Sequence, residues 1–127
     1  MILIDTSVWI DYFRNGATAD AVDVLLRNNS ICVNDLILAE LLPSIILRGE
    51  DELRGLLLSI PRLQLQIDWN ELVYMQSQNL QHGINKVGIP DLIIAQNAIQ
   101  NNVKLFTCDK HFSLMQEFFP LSVFKGE

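Results

Sequence analysis

The stretch that decides the fold is MILIDTSVWIDYF, residues 1–13. Met1 to Ile4 is an apolar run of strand length that stops at a carboxylate, Asp5. Thr6 and Ser7 follow, and an apolar pattern then resumes that reads as a helix over Val8–Phe13. The alternation continues along the chain. Strand-length runs fall at Ile31–Val33, Leu63–Ile67, Val103–Thr107 and Leu121–Phe124. Helical patterns fall at Ala19–Arg27, Asp35–Leu47, Glu50–Leu58, Trp69–Gln81, Leu92–Asn101 and Phe112–Phe118. Connections long enough for crossovers imply a parallel sheet covered on both faces, so the fold class is α/β. Ligands of such sheets gather at the carboxyl ends of the strands, where strand order reverses. An acid placed directly after the first strand is therefore well sited for chemistry.

The 127 residues are half hydrophobic and 19% charged, a composition that supports one domain spanning 1–127 with its own core. Cys32 and Cys108 lie in the apolar runs SICVN and LFTCD and read as buried, reduced thiols of a cytoplasmic protein. No apolar run approaches membrane-spanning length, and no basic region precedes a signal-like core. The net charge of −6 argues against simple electrostatic binding of nucleic acid. Glycine-rich phosphate loops, clustered Cys/His spacing and a GxSxG elbow are all absent from the sequence. Thr6 or Ser7 is expected to cap the first helix and Asn34 the third, Pro90 suits a helix entry, and Pro43 should kink or interrupt the third helix.

Four acids share a predicament. Asp5 ends a buried strand, where capping the next helix is as good a local reading as any chemistry. Glu40, in ILAELLPSIIL, sits in a helix apolar nearly all round, where a carboxylate needs a cation, whether an arginine or a metal. Asp91 precedes an apolar helix in GIPDLIIAQNAI, and Asp109 closes the run LFTCD much as Asp5 closes the first strand. A hard divalent cation, Mg²⁺ or Mn²⁺, gives all four a common cause, because it takes oxygen ligands and keeps several waters. Asp11, Asp20, Asp23, Glu50, Asp51, Glu52, Asp68, Glu71 and Glu117 read as solvated charges on polar faces or helix starts.

The stretches IDTSVWIDYFR, LAELL, HGINKVGIPDLIIAQNA and LFTCDKHF, in this order and spacing, resemble the PIN-domain nucleases, and within them the VapC-type toxins of bacterial toxin–antitoxin pairs. The resemblance covers nearly the whole chain. It implies a three-layer α/β/α fold with about five parallel strands in order 3-2-1-4-5, which brings the ends of strands one and four together. It implies further that Asp5, Glu40, Asp91 and Asp109 form a metal site for RNA cleavage, with Thr6, Ser7 and Thr107 orienting ligands or substrate. A homodimer and a small antitoxin covering the site are the implied partners. One position departs from the pattern: His111 stands where the family often carries another acid.

With the four site acids set aside, acids outnumber bases by two, which eases the charge objection. Arg14, Lys86 and Lys110 are candidate contacts to an RNA backbone, whereas Arg48 reads as an ordinary surface charge. Leu41, Leu42, Ile45, Ile46, Leu56, Leu57 and Leu58 exceed what one small face should hide and point to a partner surface. Two rival readings remain: a PIN-like module that binds RNA or protein without cutting, and a phosphoryl-receiver domain, which the positions of the acids disfavour.

Overall fold

The computed structural model describes residues 1–126. Strand β1 (Ile2–Ile4) leads into α1 (Thr6–Phe13) and α2 (Ala19–Arg27), and β2 (Ile31–Cys32) is followed by α3 (Asp35–Leu47) and α4 (Asp51–Ser59). Then come α5 (Trp69–Gln81), α6 (Ile89–Gln100), β3 (Lys104–Phe106) and α7 (Lys110–Met115). Within the described residues the sheet is parallel and three-stranded, in order β2-β1-β3, with Leu3 opposite Cys32 and Leu105. Leu3, Ile4 and Leu105 are fully enclosed, as expected of a sheet covered on both faces.

Of two expected strands, Leu121–Phe124 survives as a single bridge, and Leu63–Ile67 forms none, its bridge falling one residue earlier at Arg62. Val33 pairs with Arg62 and Leu105 with Val123, so the sheet keeps the neighbour order 3-2-1-4-5 while its outer members shrink to one rung each. The alternating LQLQI segment, residues 63–67, fails to zip because helix side chains take its carbonyls. Asn97 Nδ2 donates to the Gln64 carbonyl at 3.1 Å and Gln100 Nε2 to that of Gln66 at 2.9 Å. Amides from α6 thus replace a sheet neighbour, and a short outer rung leaves little open edge for stray pairing.

Asn34 caps α3 as its sequence implies: its Oδ1 accepts the Ile37 N–H at 2.9 Å, and its Nδ2 donates to Asn97 Oδ1 at 3.0 Å. This buried pair ties the start of α3 to α6 without leaving an amide unsatisfied. Pro90 lies in the first turn of α6. Pro43 does not interrupt α3, which runs unbroken to Leu47. Neither Thr6 nor Ser7 caps α1: the N-cap residue is Asp5, whose side chain makes no capping bond. Asp11, expected on a solvated face, instead accepts the Thr18 N–H at 2.8 Å and the Thr18 hydroxyl, fixing the turn between α1 and α2. Those bonds hold its carboxyl below the usual range.

Cys32 is buried, and burial pushes its thiol up to about 11, whereas Cys108 is exposed, contrary to its reading as a core thiol. Burial ends with Phe106 at the last residue of β3, so Cys108 already lies in the connection beyond the sheet. Of the apolar excess in α3 and α4, Leu41, Ile45 and Leu57 enter the core, while Ile46, Leu47 and Leu58 face outward.

Candidate functional site

The pairing of β1 with β3 places Ile4 opposite Phe106, and the Asp5 N–H closes the ladder on the Phe106 carbonyl at 2.9 Å. The residues just beyond the two strands, Asp5 and Thr107, consequently lie side by side. Thr107 Oγ1 donates to Asp5 Oδ2 at 2.8 Å and Ser7 Oγ donates to the same oxygen at 2.9 Å. Each hydroxyl is itself oriented by a loop amide. Cys108 N–H donates to Ser7 Oγ and Asp109 N–H to Thr107 Oγ1, both at 3.0 Å. Asp5 is only 5% exposed, and this brace is what keeps a nearly buried carboxylate satisfied.

The other three acids are held by their own local geometry. Asp109 caps α7, its Oδ1 accepting the His111 N–H at 2.9 Å and lying 2.8 Å from His111 Nδ1. Glu40 Oε1 accepts the Thr6 hydroxyl at 2.8 Å, so Thr6 orients an acid rather than a helix end. Asp91 Oδ2 reaches back to the Gly88 N–H at 3.4 Å, in the first turn of α6. Glu40 corrects an expectation: it is exposed, because Ala39, Glu40, Pro43, Ser44, Ile46 and Leu47 of α3 all face outward despite the apolar run around them. An exposed carboxylate is satisfied by water and needs no cation on account of burial.

In every one of the four acids one oxygen is held by a protein donor. The second oxygens, Asp5 Oδ1, Glu40 Oε2, Asp91 Oδ1 and Asp109 Oδ2, accept no hydrogen bond from the described residues. Asp91 feels the charges of the other three acids. Burial raises the Asp91 carboxyl above its ordinary value, the Gly88 N–H offsets part of that, and the charges of Asp109, Asp5 and Glu40 push it further up. Among the described residues no three acid, histidine or cysteine side chains meet in a closed coordination cluster. The donor set is all oxygen, partly open to water, and one oxygen per acid is available. That chemistry fits a hard cation that retains several waters, and it does not fit a closed structural zinc site.

Arg14, Lys86 and Lys110 are exposed, and none of them forms an ion pair among the described residues. Arg14 ends α1, Lys86 lies in the loop before α6 in the left-handed region (φ 67°), and Lys110 follows Asp109 directly. The backbone donors of Gly88, Cys108 and Asp109 had no signal in the sequence, because an amide carries no residue-type signature.

An acid at the end of the middle strand, braced by two hydroxyls, and an Asp91 that feels its charge and those of Asp109 and Glu40 define an α/β domain with an acidic site at its strand ends. The family model of the PIN domain matches residues 2–117, and the chain belongs to that family. The phosphoryl-receiver alternative falls with this assignment. No curated protein matches the sequence significantly. Among solved structures, the fold is similar to that of FitAcB from Neisseria gonorrhoeae, with a TM-score of 0.74 at 20% identity over 99% of this chain and 98% of the other. It is similar also to VapBC2 of Rickettsia felis bound to a promoter DNA fragment, with a TM-score of 0.73 at 20% identity over 98% of both chains. DNA-bound VapBC of Salmonella typhimurium gives a TM-score of 0.71 at 16% identity, over 97% of this chain and 96% of that one. At these identities the likeness speaks for the fold.

Proposed function

We propose that the chain is a divalent-metal-dependent endoribonuclease, the toxin of a toxin–antitoxin pair, acting on structured RNA to inhibit translation. The observation that carries this reading is the common pattern of the four acids, each with one oxygen fixed by the protein and one left over. Asp5, Glu40, Asp91 and Asp109 would hold Mg²⁺ or Mn²⁺ through those second oxygens. The bound cation supplies Lewis-acid stabilisation of phosphate charge and acidifies a water. Ser7 and Thr107 hold Asp5 Oδ2 and so fix the direction of its carboxylate. The water's proton would pass to solvent, because all four second oxygens, Asp91 Oδ1 included, would be engaged by the cation. The water's oxygen forms the new bond to phosphorus as the bond to the 3′ oxygen breaks.

Arg14, Lys86 and Lys110 would contact the RNA backbone, and unpaired loop nucleotides are the RNA elements most open to such a site. A cytoplasmic protein, with a small antitoxin covering the site and a homodimer, completes the reading. It is supported by a toxin–antitoxin complex of Klebsiella pneumoniae among the structures of similar fold, with a TM-score of 0.64 at 17% identity over 87% of this chain and 88% of the other, and by exposed apolar side chains such as Leu47 and Trp69. No helix among the described residues is long and apolar enough to cross a membrane.

The test is cleavage of a total-RNA pool by purified protein with Mg²⁺ or Mn²⁺, with chelator, and with Asp5→Asn. Cleavage confined to wild type with metal is expected. No cleavage by wild type under any of these conditions leaves the binding-module reading instead.

A further inference from the structure

A cavity of about 200 Å³ opens beside the acid site where α1 and α3 end. Phe13, Leu41 and Ile45 contribute apolar surface to it, and Arg14 and Arg48 line it too. These arginines are the C-cap residues of α1 and α3, so the ends of two helices bring them to one groove. Glu40 lines the same cavity, so the groove meets one of the four carboxylates. Glu50 is also a lining residue, yet neither arginine forms an ion pair among the described residues. Arg48, read from the sequence as an ordinary surface charge, therefore belongs to a defined concavity.

Two guanidinium groups that form no ion pair among the described residues, with Asp11 alone feeling the charge of Arg14, remain open to an anion on a chain of net charge −6. Their planar donor forks suit phosphate, and an apolar lining between them suits a base. Contact with Glu40 brings the ligand up to negative charge, which a polyanion tolerates only if cations hold it on the approach. We propose that this groove holds the single-stranded RNA flanking the scissile phosphate, with backbone phosphates on Arg14 and Arg48 and a base against Phe13. The proposal rests on the nuclease reading and adds the path of the strand.

The test is equilibrium binding of a single-stranded RNA to the Asp5→Asn protein at fixed low magnesium, with monovalent salt varied. Each lost phosphate contact on a single strand lowers the slope of log affinity against log salt by about 0.7, so Arg14→Ala and Arg48→Ala should each lower it by about that much and the double variant by about 1.4. Arg27→Ala, an exposed charge at the end of α2 and outside the groove, should leave the slope unchanged. The arginines are exposed, and matching thermal melts will show that the variants fold alike. An unchanged slope in the double variant overturns the groove alone and gives it to a protein partner. Failure of Asp5→Asn to bind any RNA overturns the nuclease reading and the groove together.

Discussion

Replacing Thr107 with valine probes the brace that makes Asp5 usable. The Thr107 hydroxyl donates to Asp5 Oδ2 at 2.8 Å, accepts the Asp109 N–H at 3.0 Å and lies 3.4 Å from Ser7 Oγ. Valine preserves the side-chain shape and deletes both bonds. A hydrogen bond to a charged acceptor contributes about 1.5–3 kcal/mol, and the freed Asp109 amide, in a half-buried residue, recovers part of its loss from water. The net destabilisation is then about 2 kcal/mol. At about 2.1 cal/mol/K per residue, unfolding 127 residues carries an entropy of roughly 0.27 kcal/mol/K, so Tm should fall by about 7 °C. Circular dichroism melts in chelator measure it without interference from bound ions. Because Ser7 and Thr107 donate to one oxygen, Ser7→Ala and Thr107→Val should be non-additive, with a coupling of at least about 0.5 kcal/mol. A fall below about 2 °C, with additive single effects, refutes the idea that two hydroxyls fix this carboxylate.

Asp91→Asn should stabilise the metal-free protein at neutral pH. The folded-state pKa of Asp91 is raised above 3.8, so the native state binds its proton more tightly than the unfolded chain, and stability falls as pH rises from about 3.8 through the folded value. The asparagine variant should lose that segment of the pH–stability curve, and an unchanged curve speaks against the crowding of charge. Asn34→Ala removes a cap and leaves the buried Asn97 Oδ1 without its donor, for about 2–4 kcal/mol by chemical denaturation. Pro43→Ala restores an amide in the exposed middle of α3 and should raise stability by about 1–3 kcal/mol; a drop would mean that α3 requires the proline's geometry.

The elements that carry the candidate acids were legible because strand ends and helix starts have strong signatures. MILID and LFTCD marked two acids at or just past strand ends, while the order of the sheet came from the family resemblance and matches the neighbours found, though the outer strands shrink to one rung each. What escaped the sequence was decided by partners distant along the chain. LQLQI has the alternation of a strand, yet its carbonyls belong to Asn97 and Gln100 thirty-odd residues further on. ILAELLPSIIL has the density of a buried helix, yet one side of α3, Glu40 included, faces outward, since a run of apolar letters does not reveal how many sides are covered. Arg48 gains meaning only beside Arg14, at the far end of another helix.

The account turns on four carboxylates acting as one cation site, and a calorimetric titration of wild-type protein with Mn²⁺ at neutral pH addresses that directly. Saturable binding is expected, weakened at least tenfold by Asp5→Asn and also weakened by Glu40→Gln, Asp91→Asn and Asp109→Asn, and by about tenfold or more when the bracing Thr107 is replaced by valine. Equal affinity in wild type and Asp5→Asn would contradict it.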